Sequence, residues 1–269
     1  MSSSAGGISE LRSNDLYFLL RPRRRIYFPS SSPGGLHRKP FDRATIFDFG
    51  QRVRNSGHLT WYSQSAFKII TPAGNVLLVD PWLTNPVFAK GKDEVAALKR
   101  VDLILVTHGH SEHIGNAVEI GKRTRAKLVA TYDLSAAMTA VLGYPAELAD
   151  TETTGHFGGT LNLLDHEVAV TFVPAWHGAG VEKDENSLPH YGGNPGGLII
   201  AIRGGPTFYH TGDTDLFSDM APVSRYNKID VMLVCIGDHF TMGSKRAADA
   251  VKLVDPRVAI PMHYGTFRC

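Results

Sequence analysis

Four side chains that can bind a metal ion, His108, His110, Glu112 and His113, fall within six residues of one another in Val106-Thr-His-Gly-His-Ser-Glu-His-Ile-Gly115. They follow directly on the apolar run Val101-Asp-Leu-Ile-Leu-Val106. Imidazole and carboxylate together suit zinc, iron or manganese, and a strand that runs into a loop splays closely spaced ligands around an ion. Three further candidate regions also stand where apolar runs end. His177 comes after Val168 to Pro174, His210 and Asp213 sit in Phe208-Tyr-His-Thr-Gly-Asp213, and His263 follows Val258 to Met262. A lone histidine behind a strand is ordinarily a polar residue satisfied by its neighbours. The same pattern at four strand ends points to a shared cleft, because strands that end at one rim present their last residues to a common space. Metal-centred chemistry is the first expectation.

The elements that must position these residues show in the alternation of apolar runs and turn residues. Leu59-Thr-Trp-Tyr62 and Ala66-Phe-Lys-Ile-Ile70 read as paired strands leading to Asn75-Val-Leu-Leu-Val79, which ends at Asp80-Pro81. A helix-like Asp93 to Lys99 precedes the strand that delivers the histidine cluster. Helices are expected from Val118 to Lys122 and from Leu134 to Leu142, the latter stopped by Gly143, with a strand at Lys127 to Ala130 between them. The second half is more strongly β. His166 to Val173, Leu198 to Ile202, Thr207 to His210, Ile229 to Ile236 and Arg257 to Pro261 read as strands, with a hairpin at Gly204-Gly205-Pro206 and an amphipathic helix from Lys245 to Leu253. Many strands with interspersed helices predict an α/β protein with two sheets between helical layers.

At 269 residues the chain is long enough for one large domain with a full hydrophobic core. Hydrophobic residues make up 43% and charged ones 20%, which is ordinary for a folded globular protein. The formal charge is +2. The first fifty residues hold eight Lys/Arg against four Asp/Glu, so the remainder carries −2 by subtraction, and no basic surface argues for nucleic acid. Cys235 lies in an apolar run and Cys269 at the C-terminus, giving no disulfide framework and fitting a reducing, cytoplasmic compartment. No apolar stretch approaches the roughly 18 residues needed to span a membrane, so a soluble protein is expected. Residues 1–55 are rich in Ser, Gly, Pro and Arg, as in Arg21-Pro-Arg-Arg-Arg25 and Ser30-Ser-Ser-Pro-Gly-Gly35, and read as a flexible extension. Their composition loosely resembles an organellar transit peptide, which would imply import; a solvated tail or a mis-set start explains it as well. The folded domain is expected over 56–269.

The run Thr107-His-Gly-His-Ser-Glu-His113, with His177, His210-Thr-Gly-Asp213 and His263 downstream, resembles the metallo-β-lactamase superfamily. The signature of that superfamily is His-x-His-x-Asp-His followed by a later His, Asp and His. Trp61 to Phe67, Asp80-Pro-Trp-Leu-Thr-Asn-Pro86, Gly237-Asp-His-Phe-Thr-Met-Gly243 and Pro261-Met-His-Tyr-Gly-Thr-Phe267 narrow the likeness to the small metal-dependent hydrolase family related to ascorbate-phosphate lactonase. The likeness runs from about residue 58 to the C-terminus. It implies an αββα four-layer sandwich with two divalent ions, zinc first and manganese or iron as alternatives. His108, His110 and His177 would hold one ion, and Glu112, His113 and His263 the other, with Asp213 bridging. Two ions roughly 3.5–4 Å apart would share a hydroxide that attacks the substrate, with no Ser or Cys nucleophile. Asp213, Glu112 and His239 are the expected catalytic residues, His239 either touching substrate or hydrogen bonding to a ligand.

The chain departs from the family pattern at three places. Glu112 stands where the family has Asp, so its carboxylate is displaced by about one bond, which weakens the second ion or leaves a single-ion centre. Gln64, in Ser63-Gln-Ser-Ala, stands where relatives commonly have Gly-His-Ser, so a pocket histidine is missing and substrate contacts or activity should change. The chain also stops six residues after His263, where family members generally continue, so a C-terminally truncated domain is expected. His210 is expected to orient the loop carrying Asp213, and Asp80 to buttress the metal loops. His190 and Tyr191 fall in a long Gly/Pro-rich loop that lines the site or merely connects strands. Trp82 and Trp176 line an apolar pocket or belong to the core.

The function expected from this is hydrolysis of a small-molecule ester, lactone or phosphoester, without nucleic-acid or membrane partners. Two alternatives remain at this point. One is an iron-dependent oxidoreductase on the same fold, similar to a persulfide dioxygenase. The other is a metal-binding protein that has lost activity.

Overall fold

Runs that are apolar at nearly every position need cover on both faces, whereas alternating runs need it on one. Both kinds occur here. In the computed structural model the described residues are 57–266, together with three strands before them: β1 (Leu16–Arg21), β2 (Arg24–Pro29) and β3 (Thr45–Asp48). The rest of the segment read as a flexible extension lies outside the described residues, as does Cys269. The three strands are rich in Leu, Ile, Tyr and Phe, residues that favour strands. The neighbouring arginines and serines hide them in the composition.

The chain then runs through β4 (His58–Trp61), β5 (Phe67–Ile70), β6 (Val76–Val79), α1 (Gly91–Ala97), β7 (Leu103–Leu105), α2 (Ser111–Ile114), α3 (Ala117–Thr124), β8 (Lys127–Thr131) and α4 (Tyr132–Leu142). Next come β9 (Thr154–Gly155), β10 (Thr160–Leu163), β11 (Val168–Pro174), β12 (Gly196–Ile202), β13 (Thr207–His210), α5 (Val223–Tyr226), β14 (Val231–Cys235), α6 (Ser244–Val254) and β15 (Val258–Met262). Among the described residues the strands form two sheets. One has the order β3-β4-β5-β6-β7-β8-β9 and the other β1-β2-β15-β14-β13-β12-β11-β10. In the first sheet β6, β7 and β8 run parallel; in the second, β13, β14 and β15 do. The expected hairpin joins β12 to β13, pairing Ala201 with Thr207, and Gly204 takes the positive φ of +76° in its turn.

Alternation along the parallel strands sorts their side chains into two layers. Leu77, Val79, Leu103, Leu105 and Val129 meet Val168, Val170, Phe172 and Ile200 between the sheets. Leu78, Ile104, Leu128 and Ala130 face the other way, onto Val95 of α1, Ile120 of α3, and Leu134 and Met138 of α4. Ala247, Ala250, Val251 and Val254 of α6 pack beside β14 and complete the fourth layer. The fold is the αββα sandwich of the metallo-β-lactamase type. No helix among the described residues is long and apolar enough to cross a membrane.

The position of α1 depends on a polar contact as well as on Val95. Tyr62 Oη donates to Glu94 Oε1 at 2.5 Å and Lys68 Nζ donates to the same oxygen at 2.9 Å. Burial alone would push the Glu94 carboxyl up, but the bonds from Tyr62 and Lys68 outweigh it and hold the group below its ordinary value. Stability of that origin is fully present above the unfolded-state value, about 4.3, and is lost as pH falls through the folded one. Because Glu94 is partly exposed, solvent screening limits the effect to ~1 kcal/mol, or roughly 2–4 °C in Tm. Thermal melts of Glu94→Gln should therefore lie below wild type at neutral pH, with the gap closing below about pH 4. A gap that does not change with pH would show that the contact acts by shape alone.

Candidate metal centre

The histidine cluster begins where β7 stops pairing. Beyond Leu105, Thr107 N donates to Asp80 Oδ1 at 2.8 Å and Thr107 Oγ1 donates to Asp80 Oδ2 at 2.7 Å, so the chain is pinned to the end of β6 just before His108. Asp80 itself adopts φ +44°, turning the chain out of β6. The α2 turn then starts, and His113 N and Ile114 N both donate to His110 O at 3.0 Å. One tight turn thus brings His110 and His113 to the same cleft. Gly109 lies between His108 and His110 because nothing larger fits. A Cβ there would stand 2.6 Å from Ala179 O and 2.7 Å from Val181 Cγ2. That close approach brings the segment after His177 down onto the histidine loop.

The remaining candidates arrive on three other strands. His177 lies just beyond β11, in a loop tied to the β13 loop by Trp176 N donating to Thr214 Oγ1 at 2.9 Å and Asp215 N donating to Trp176 O at 3.2 Å. Asp213 follows β13 and is buried. His263 follows β15 with φ +58°, its N–H donating to Gln64 O at 3.1 Å.

Two groups of side chains that could each hold a metal ion result. In the first, His108, His110 and His177 bring ring nitrogens within 4.8 Å of one another; in the second, Glu112, His113, Asp213 and His263 do the same with nitrogens and carboxylate oxygens. Asp213 faces both groups. Its Oδ2 lies 2.7 Å from His263 Nε2, 3.3 Å from His113 Nε2 and 3.7 Å from His177 Nε2. The His108 ring centre is 4.0 Å from that of His113 and 5.1 Å from that of His177.

The electrostatics of these groups suit a cation. Burial holds His108 well below the ordinary imidazole value, with repulsion from His113 adding to it; burial also lowers His110 and His177. Those three rings are therefore neutral at pH 7 and offer lone pairs. Burial would raise Asp213, but His113 and His263 outweigh it and keep the carboxylate ionised. For His113 burial acts downward and is overcome by Asp213 and Asp80, which hold it well above its ordinary value. His113 Nε2, His263 Nε2 and both oxygens of Asp213 are buried without a hydrogen-bond partner. The 2.7 Å approach of His263 to Asp213 thus lacks hydrogen-bond geometry. Each orphaned group costs about 1–3 kcal/mol. Four of them converging on one place fit a bound cation.

Asp80 belongs to neither ligand group and acts behind both. Its Oδ2 accepts from His113 Nδ1 at 2.7 Å and from Thr107 Oγ1, and that hydroxyl in turn lies 3.0 Å from His108 Nδ1. With the Thr107 proton committed to Asp80, the hydrogen-bond network assigns the His108 proton to Nδ1. Nε2 is then the nitrogen that each ring turns towards the cleft, and at His113 a cation would take the place of the proton that Asp213 favours there. His210 does the corresponding work for Asp213. Its Nδ1 accepts from Gly212 N at 3.1 Å and its Nε2 donates to Ser65 O at 3.1 Å, anchoring the loop.

Not every sequence candidate joins these groups. His239 is exposed, edge-on to Phe240 at 4.4 Å, and outside both of them. Asp238 takes φ +68° and its carbonyl accepts from Thr241 N at 2.8 Å, a turn that directs the next residue outward. Trp176 is 69% exposed beside His177, so it is a rim residue and not core. His190 pairs with Val181 across a small hairpin, and Tyr191 is exposed. Sequence reasoning passed over Thr107 and Thr214, whose hydroxyls tie the loops together. The only signal for Thr107 is its position between an apolar run and the first histidine.

The matches to known proteins agree with this geometry. Residues 75–264 match the model of the β-lactamase superfamily domain. A UPF0173 metal-dependent hydrolase of Thermodesulfovibrio yellowstonii is 57% identical over 210 residues, covering 78% of this chain and 79% of its own. A second, from Archaeoglobus fulgidus, is 42% identical over 78% of this chain and 84% of its own. Among solved structures, a metallo hydrolase from the hyperthermophilic archaeon Ignicoccus hospitalis superposes with a TM-score of 0.67 at 32% identity, covering 78% of this chain and 84% of that one. The chain belongs to the UPF0173 family of metal-dependent hydrolases within the β-lactamase superfamily.

Proposed function

We propose that the chain hydrolyses a carboxylic ester, lactone or phosphoester of a small molecule at a centre of two divalent cations, zinc first. His108, His110 and His177 would hold one cation; Glu112, His113 and His263 would hold the other, and Asp213 would face both. The observation that carries this reading is the pair of ligand groups meeting at Asp213, with four buried atoms there lacking a hydrogen-bond partner. Cations held there would supply Lewis acidity, lowering the pKa of a water and drawing charge from a carbonyl or phosphoryl oxygen.

The chain's own residues prepare that chemistry. Asp80, directly and through Thr107, keeps a proton on Nδ1 of His113 and of His108, so that Nε2 is the nitrogen each ring would offer a cation. Asp213 stays ionised and contributes negative charge between the two groups. Burial pushes the Cys235 thiol up to about 12, which removes it as a nucleophile and suits a core residue. A free buried thiol also fits a cytoplasmic setting.

Elemental analysis of protein purified without added metal, with rates before and after chelation, tests the reading. About two zinc or manganese ions per chain are expected. Chelator-sensitive hydrolysis should be faster on esters or lactones than on bis-aryl phosphodiesters. Metal-free protein with full activity would overturn it.

Two variants address single residues. Glu112→Ala should lower the metal content from about two ions towards one; if two remain, Glu112 is not a ligand. Asp80→Asn keeps the shape and tolerates the left-handed backbone but frees the His113 proton to move. Competition with a chelator should then show metal bound 10–100-fold more weakly, and unchanged affinity would remove Asp80 from this role.

A further inference from the structure

Ser63 and Gln64 turn the chain between β4 and β5 with φ of +77° and +50°. Such backbone costs a residue other than glycine of order 1 kcal/mol or more, and it persists where the surroundings enforce it. Here main-chain bonds do so. Gln64 O accepts from Trp61 Nε1 at 3.0 Å and from His263 N at 3.1 Å, so one carbonyl seats both Gln64 and a ligand histidine.

The Gln64 side chain is fully buried. Thr266 Oγ1 donates to its Oε1 at 2.7 Å, which fixes the orientation of the carboxamide. Nε2, with two N–H donors, has no partner. Gln64 and His263 are walls of the same pocket, lined also by Gly237, Phe240, Tyr264 and the Gly265-Thr266 turn. A buried donor left unmatched costs about 1–3 kcal/mol. A carboxamide pinned through its oxygen cannot take that donor elsewhere. Unlike a histidine, which changes charge near neutral pH, a glutamine donates at every pH.

We propose that Gln64 is a substrate-positioning and specificity residue: its Nε2 donates to an sp² oxygen, carbonyl or carboxylate, of a substrate seated beside His263. The inference rests on the hydrolase reading and deepens it. It makes the pocket selective for molecules with such an oxygen, since one lacking it leaves the donor unpaired.

The test titrates ¹⁵N-labelled, zinc-loaded protein with acetate and with acetamide, following the Gln64 side-chain amide resonances, which are identified by their loss in Gln64→Leu. Saturable shifts of those resonances are expected. A shift with acetate alone assigns the pocket to carboxylates, and shifts with both assign it to carbonyl oxygens generally. Gln64→Leu should bind acetate about tenfold more weakly at unchanged metal content. Should that variant fold poorly, Gln64→Asn keeps a carboxamide and suits the left-handed backbone while withdrawing the donor by one carbon, and it should lose affinity likewise. Unmoved resonances, wild-type affinity in the folded variants, or no acetate binding at all would each overturn the proposal. Failure of the hydrolase reading shows separately, as protein that binds acetate through Gln64 yet turns over no ester, lactone or phosphoester with or without metal.

Discussion

The candidate centre depends on one buried carboxylate that lies outside both groups of candidate ligands. Asp80 takes three hydrogen bonds from Thr107 and His113 at 2.7–2.8 Å, with its side chain shut off from solvent. Through these bonds it joins the ends of β6 and β7 and sets the proton positions of one histidine in each ligand group. Without it the backbone leaving β7 would keep only its main-chain bonds, such as Gly196 N donating to Thr107 O at 3.2 Å. The histidines would then have no preferred tautomer, and ligand geometry is sensitive to errors of about 1 Å.

The layered fold explains why so many polar groups are tolerated inside. Between the sheets the core is apolar, and the charged and imidazole groups collect at the rim where β6, β7, β11, β13 and β15 end. There Asp213 and the histidines offset part of each other's burial cost, so the residual mismatch sits in a few orphaned atoms. Strength in the core and unsatisfied polarity at the rim are therefore two sides of one arrangement.

Much of this was legible in the residues. Metal-type side chains at the ends of four apolar runs could only meet if those runs ended at one rim, and they do. The core strands and the larger helices fall where their periodicity placed them. Short edge elements did not show: β10 alternates exposed and buried residues over four positions, too few to stand out, and α2 hides inside the histidine cluster. His239 misled because Gly237-Asp-His looks like the other strand ends, yet the left-handed Asp238 sends it to solvent. Thr107 was silent because an ordinary threonine signals nothing until its two partners are in place. Gln64 stands out in the sequence as a departure from a pattern, but its pinned oxygen and unmatched donor appear only once Thr266 is folded against it.

The place of β15 has a consequence for how the molecule comes into being. His263 reaches the centre only when β15 has docked in parallel beside β14, and the second ligand group draws on residues from Glu112 to His263. Contacts of such sequence separation form slowly, because loop closure must be paid before they give anything back. During synthesis the last residue of the three-histidine group is added at His177, and the last of the second group only at His263. The residues of the two groups are thus made in a fixed order. The second group can therefore come together only when the last strand of the sandwich is in place.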